Sequence, residues 1–386
     1  MITLYRNARM IDATGERYGD LCIENGVIVS CGPLCWRHAD KVIDAARLVV
    51  MPAFIDLHCH LRDPGYPEKE TMETGMRAAL AGGYAHLCAM ANTRPVIETP
   101  ALVEANLKKA KSLRLCRLTQ AAAAGKALGD EVPTDRKALG DVTPMLSNDG
   151  KTIFSDTFMR QLLIDSKKYG FLISTHCQPE RETVRRDIAL LREVGGHLHV
   201  GHISRAETVE MIRAAKAEGL RITCEVTPHH LFGWDDKYAV NPPLRSRADV
   251  DALIAGIKDG TVDCLSTDHA PHTEADKLDG MAGISNIEYA AQIYLQVFAE
   301  NGIPLTRLAE MTSYTPAKLL GRKAGLLRPG YPADLVVIST DEDAVIEKDN
   351  MRSRSHNTPF DGRQVRGRVK MTIVEGETRY EYGTAV

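Results

Sequence analysis

A chain of 386 residues with 44% apolar side chains has room for one large core or two moderate ones. Its formal charge of -3 comes from nearly balanced acids and bases without a long single-sign block, which argues against nucleic acid or an anionic membrane surface as partner. No apolar run approaches the ~20 residues of a membrane span, and the start, MITLYRNARMID, lacks the basic-then-apolar layout of a signal peptide, so a cytoplasmic location is expected.

Residues 1–52 read as short strands: ITLYRNARMID, then DLCIE and VIVSCG joined by Asn25-Gly26, a pair favoured in tight hairpins. From Pro52 the texture changes, and apolar runs alternate with helical stretches. The runs are AFIDLHCH (53–60), YAHLCAMA (84–91), LRLCRLTQAA (113–122), VTPMLSN (142–148), FLISTH (171–176), HLHVGHI (197–203), LRITCEVT (220–227) and VDCLSTDH (262–269). Ser204 with Glu207 forms a capping-box pattern before VEMIRAAKAEG, which Gly219 closes; Asp156 is placed to cap TFMRQLLIDSKKY, which Gly170 closes. Thr315-Pro316 opens a last helix. Eight alternations over this length predict an α/β fold, a closed (β/α)8 TIM barrel spanning 53–325. Beyond Gly325, ADLVVIS and VKMTIVEGETRYEY return to β texture, so residues 1–52 and 326–386 are expected to form one small, discontinuous, β-sandwich-like domain.

The nine cysteines are scattered without a CxxC; only Cys31 and Cys35 lie close together, a pattern of reduced thiols. Cys59 lies between His58 and His60, but on a strand it faces the other way.

Residues suited to a metal hydrolase fall at or just past strand ends: His58 and His60 on the first strand, Asp149 after the fourth, His176 on the fifth, His202 near the end of the sixth and Asp268 on the eighth. In a parallel barrel these ends share one rim, where active sites of this fold are built. Alternation puts His58 and His60 on one face, so both reach one ion at ~2.0–2.1 Å. Imidazoles and carboxylates without a thiolate set suit zinc, cobalt or manganese, with zinc the default for hydrolysis at neutral pH. Asp268, with one oxygen toward metal and one toward substrate, is the candidate general acid/base. In HLHVGH, His197 and His199 share a face and His202 has the opposite parity, so periodicity alone does not choose among them. His229, His230 and His272 lie near the same rim as substrate ligands or loop formers; His38, His86 and His356 read as structural or surface.

HxHxRDPG, MxNTRP, NPPLR and TDHAPHT occur together, and between and around them ETMETGMRAALAGG, SNDG, THC, GHIS, EVTPHHL, ADLVVI and NTPF follow in order along nearly the whole chain. In these motifs the sequence resembles the dihydroorotases of the amidohydrolase superfamily, especially the bacterial class I type. The resemblance implies that His58, His60 and Asp268 hold a first zinc, that His176 and His202 hold a second, and that Asp149 bridges them. It implies reversible hydrolysis of dihydroorotate to N-carbamoyl-aspartate. Arg62, two residues past His60 and thus on the same strand face, is suited to grip a planar carboxylate. By resemblance Asn92 joins it there, Asn241 and His272 complete the pocket, and the backbone at Ala282 and Gly283 meets the pyrimidine edge. Residues 270–283 read as a mobile loop over the pocket.

Ala91 and Asn148 stand where family members often have proline and aspartate. The segment between His176 and His202 is shorter than usual, which leaves one or two zinc ions open. Lys151 lies two residues past Asp149, so the carboxylated lysine of related hydantoinases is not expected. A hydantoinase or allantoinase would share the metal ligands, but a hydantoin has no carboxylate for Arg62 and Asn92. The remaining reading is a dead barrel serving a partner such as aspartate transcarbamoylase; such barrels usually lose ligands, and here all six are present. A homodimer is the expected assembly.

Overall fold

Each of the eight apolar runs between residues 53 and 269 contributes a strand in the computed structural model, which describes residues 1–33 and 38–384. They are β1 (Phe54–Cys59), β2 (Tyr84–Ala89), β3 (Arg117–Gln120), β4 (Met145–Ser147), β5 (Leu172–Thr175), β6 (Leu198–Val200), β7 (Ile222–Val226) and β8 (Cys264–Leu265). Successive strands pair in parallel within two ladders, β1 to β3 and β4 to β8. Single parallel bridges, Ala122–Leu146 and Cys59–His269, join the ladder ends and close the ring. Every residue of β1 and β2 is buried, as expected where both faces of a sheet are covered and the strand reads as a continuous apolar run. Side chains from β1, β2, β4, β5 and β8 (Ile55, Leu57, Cys88, Met145, Leu172, Cys264) meet in one apolar cluster, so the barrel is packed and is not a pore.

The strands are shorter than the apolar runs. VDCLSTDH forms a ladder only at Cys264–Leu265 and then meets β1 through the single bridge at His269, because Thr267 turns its backbone N–H to Asp56 Oδ1 while Asp268 N–H reaches the His58 carbonyl. The polar ends therefore leave the ladder where the site begins.

Both ends of the chain enter one eight-stranded sheet, built from Ile2–Asp12, Gly15–Glu24, Val27–Gly32, Lys41–Asp44, Val49–Pro52, Leu335–Val345, Gln364–Val374 and Glu377–Glu381. The halves join where Val49–Pro52 pairs antiparallel with Leu335–Ile338. Asn25 (φ 50°) and Gly26 (φ 79°) make the left-handed pair that a two-residue hairpin turn requires. Cys35 lies outside the described residues; the eight described cysteines are all free.

Two helix caps differ from expectation. Ser204 donates to Glu180 and does not cap, and Ala206 N–H, at the start of the helix Ala206–Ala217, is satisfied by Asp249 at 3.0 Å; carboxylates of neighbouring helices displace the local box. Ser155, and not Asp156, caps the helix Asp156–Tyr169, while Asp156 pairs with Arg186.

Candidate active site

At the C-terminal rim of the barrel, His58, His60, Asp149, His176, His202 and Asp268 come together, all buried. Asp149 lies at the centre. Its Oδ1 is 3.2 Å from His58 Nε2, 3.4 Å from His202 Nε2 and 3.6 Å from His176 Nδ1, and its Oδ2 is 3.3 Å from His60 Nε2. Asp268 Oδ1 is 3.1 Å from His60 Nε2 and 3.6 Å from His58 Nε2, and His176 Nδ1 is 3.0 Å from His202 Nε2. Four ligands at 2.0–2.1 Å around a tetrahedral ion stand about 3.3–3.4 Å apart, which is the spacing seen here. Among the described residues two groups meet the geometric requirement for holding an ion: His58, His60 and Asp268, and His58, Asp149 and His202. His58 Nε2 and Asp149 Oδ1 are buried without a hydrogen-bond partner, although such atoms are normally paired. A divalent cation supplies what they lack, so the residues fit a metal.

The electrostatics agree. Burial pushes the Asp149 and Asp268 carboxyls up, but the surrounding imidazoles outweigh it and hold both well below the usual carboxylate range. Both are ionised at neutral pH.

Backbone geometry explains how side chains from separate strands converge. Arg62 (φ 54°), His202 (φ 33°) and Asp268 (φ 45°) all adopt the left-handed region, where each non-glycine residue costs ~1–3 kcal/mol. The chain turns sharply at these strand ends, so strand parity ceases to apply. β6 ends at Val200, and His202 reaches the centre from beyond it; His199, still on the strand, meets Thr223 and Glu225 instead, and His197 lies beside Arg221. Cys59 turns its thiol to the Cys88 carbonyl, away from the centre.

Arg62 reaches the site for a reason other than strand alternation, since β1 ends at Cys59. Its Nε donates to the Pro271 carbonyl at 3.1 Å and its Nη2 lies 3.2 Å from His272 Nε2. Asp63 pairs with Lys109, leaving Arg62 without an acid partner among the described residues. Burial, Arg62 and Lys69 push His272 down to about 4, so it is a neutral imidazole at pH 7. Asn92 Oδ1 meets His60 Nδ1 at 2.8 Å, which commits the oxygen and leaves the amide nitrogen. Asn241 Nδ2 lies 3.1 Å from His176 Nε2. Gly283 packs so closely that a Cβ there would stand 2.6 Å from the His272 ring, whereas Ala282 is exposed. Residues 270–283 contain a short helix, Glu274–Leu278, and are pinned: Lys277 Nζ donates to the carbonyls of Ala239, Met281 and Gly283, and Asn357 bonds both His272 N–H and the Gly283 carbonyl.

The short connection after β5 does not bare the second pair of imidazoles; His176 and His202 are 6% and 1% exposed. Lys151 is exposed, with Nζ toward the Ala127 carbonyl. His230 is held by Thr227 and the Pro242 carbonyl, and His229 by Asn286.

Asp56 and Glu225 touch this centre without forming part of any ligand-spacing motif. Asp56 accepts from Thr267 and from His58 N–H, clamping β1 to the segment that carries Asp268. The signal for both is a lone acid inside an otherwise apolar buried strand, which is costly unless its oxygens are satisfied.

The amidohydrolase family model matches residues 49–379. The dihydroorotase of Thermoanaerobacter sp. (strain X514) is 36% identical over 422 residues, covering 99% of this chain and 98% of that protein. Those of Clostridium botulinum (strain Eklund 17B / Type B) and Deinococcus radiodurans are also 36% identical, covering 99% and 95% of this chain and 100% and 96% of theirs. Among solved structures, the L-hydantoinase (dihydropyrimidinase) of Arthrobacter aurescens superposes with a TM-score of 0.92 at 25% identity, over 100% of this chain and 97% of that one. The dihydropyrimidinase of Brevibacillus agri, with a TM-score of 0.89 at 23% identity over 98% and 95%, shares the fold. Matched along almost its whole length by relatives of one kind, the chain belongs to the amidohydrolase family and, within it, to the dihydroorotases.

Proposed function

We propose that this chain catalyses the reversible hydrolysis of the cyclic amide of (S)-dihydroorotate to N-carbamoyl-L-aspartate in pyrimidine synthesis, with two zinc ions. The observation that carries the reading is the ligand-spaced cluster of imidazoles and carboxylates beside a guanidinium that lacks an acid partner among the described residues. His58, His60 and Asp268 would hold one ion, His176 and His202 the other, with Asp149 between them. When bound, zinc lowers the pKa of a water and polarises the amide carbonyl.

Asp268 enters the reaction ionised, as its surroundings require. Its Oδ1 faces the histidines, leaving Oδ2 to take the proton of the attacking water and pass it to the departing ring nitrogen as the C–N bond breaks. Arg62, with His272 and the Asn92 amide nitrogen, holds the substrate carboxylate; Asn241 and the backbone at Ala282 and Gly283 meet the ring. A hydantoin offers Arg62 no carboxylate, which favours dihydroorotate over the substrates of the structurally similar hydantoinases.

Elemental analysis of the purified chain, paired with assays on dihydroorotate and hydantoin, tests this. Two zinc ions per chain and turnover of dihydroorotate alone are expected. Hydantoin hydrolysis at an equal or greater kcat/KM would overturn the assignment.

The resemblance also supplies a homodimer and aspartate transcarbamoylase as candidate assemblies, which light scattering of the chain alone and with that enzyme distinguishes. The free, mostly buried thiols support a reducing, cytoplasmic setting.

A further inference from the structure

β7 carries one acid, Glu225, which is fully buried. Both of its oxygens are engaged. Oε1 is 2.7 Å from His58 Nδ1; Oε2 is 3.1 Å from His199 Nε2 and accepts from the Ser266 hydroxyl. His199 is braced in turn, its Nδ1 2.9 Å from Thr223 Oγ1. The Glu225 carboxylate is thus held by His199 and Ser266 on the side away from His58. Gly201 borders the same contact, where a Cβ would come within 3.4 Å of His58 Nδ1 and 3.1 Å of the Thr175 carbonyl. The absence of a side chain there leaves the imidazole its place against Glu225.

An imidazole offers a lone pair at one nitrogen only when its proton is held at the other. We propose that Glu225 is the positioning residue of this centre: it accepts the Nδ1–H of His58, and so fixes the tautomer and the ring plane that turn Nε2 toward Asp149 and Asp268. The proposal rests on the metal reading given above. It also distinguishes the two histidines of the HxH pair. His60 leans on the neutral amide of Asn92, whereas His58 leans on a carboxylate, which raises a ligand's basicity more. Loss of Glu225 should therefore weaken the ion that His58 holds more than one held by His176 and His202.

The test uses the full-length chain, stripped of metal and titrated with zinc against a chromophoric chelator, as wild type, Glu225→Gln and Glu225→Ala. Glu225→Ala is expected to weaken the tighter-coupled ion by about 10–100-fold, with Glu225→Gln, which keeps an acceptor oxygen but no charge, falling between. A residue that only stabilised the barrel would lower the melting temperature and leave the affinity of the folded variant unchanged. In parallel, nitrogen-labelled histidine in the metal-free wild type should show a hydrogen-bonded Nδ1 proton on His58, identified by its loss in His58→Gln and shifted in Glu225→Gln. A folded Glu225→Gln with wild-type affinity and an unmoved resonance would overturn the proposal. If neither Glu225 variant folds, the wild-type spectrum decides, and a His58 without an Nδ1 proton overturns it. A wild type that shows this proton yet takes up no ion removes the metal reading and the positioning role with it, a pattern distinct from failure of the hydrogen bond alone.

Discussion

Replacing Arg62 by methionine keeps most of the side-chain length and removes the charge. The guanidinium has five N–H donors. Nε is spent on the Pro271 carbonyl and Nη2 faces His272, so the two Nη1 protons and one on Nη2 remain for a carboxylate. Two charge-assisted hydrogen bonds at ~1.5 kcal/mol each, the low end for bonds to a charged group, amount to about 3 kcal/mol. At 1.36 kcal/mol per decade, kcat/KM for dihydroorotate should fall by roughly two orders of magnitude, mainly through KM. The same ring without its carboxylate, dihydrouracil, should lose nothing. Arg62 also helps to hold His272 near 4, so in Arg62→Met the His272 imidazole should titrate closer to its ordinary value of 6.5. Steady-state kinetics on both substrates, with histidine NMR across pH 4 to 8, measures all of this. An unchanged KM for dihydroorotate would show that the carboxylate is held elsewhere.

Asp268→Asn should lower turnover by about 10²–10⁴-fold while metal content falls only in part, because His58 and His60 remain; full activity would remove its proton-transfer role. Stripping metal leaves four imidazoles and two carboxylates packed against one another, and zinc returned at a hundred times its Kd should raise the unfolding free energy by about 2.7 kcal/mol. A melting temperature indifferent to zinc would mean that the cluster holds no ion. Glu288 is raised by burial from 4.5 to about 7, so the folded chain binds its proton more tightly than the unfolded one. Its contribution to stability is complete below pH 4.5 and is lost as pH rises through 7, about 3 kcal/mol in all. Glu288→Gln should lack that loss, and an equal fall in unfolding free energy between pH 5 and pH 8 in both chains, read from denaturant titrations, would refute the assignment.

The alternation of apolar runs with helical stretches was enough to specify the barrel, because strands buried on both faces cannot avoid being apolar. All eight strands lie where those runs predict, and the terminal β segments pair as their texture suggests. The six residues that gather at the rim were also legible, since imidazole and carboxylate at strand ends have few structural reasons to recur together. Parity left His202 undecided and gave the wrong reason for Arg62, both beyond the end of their strands and both in left-handed backbone, a conformation that residue type does not announce. The capping box at Ser204 failed because Glu180, distant in sequence, offered a better acceptor. Glu225 was silent for the same reason. Whether a buried acid is a burden or a support depends on what it faces, and three donors from three separate segments meet it only once the ring of strands has closed. Local pattern determined which residues are buried and which elements they form; tertiary closure alone decided which polar atoms share a low-dielectric space, because those partners lie far apart along the chain and no short-range preference brings them together.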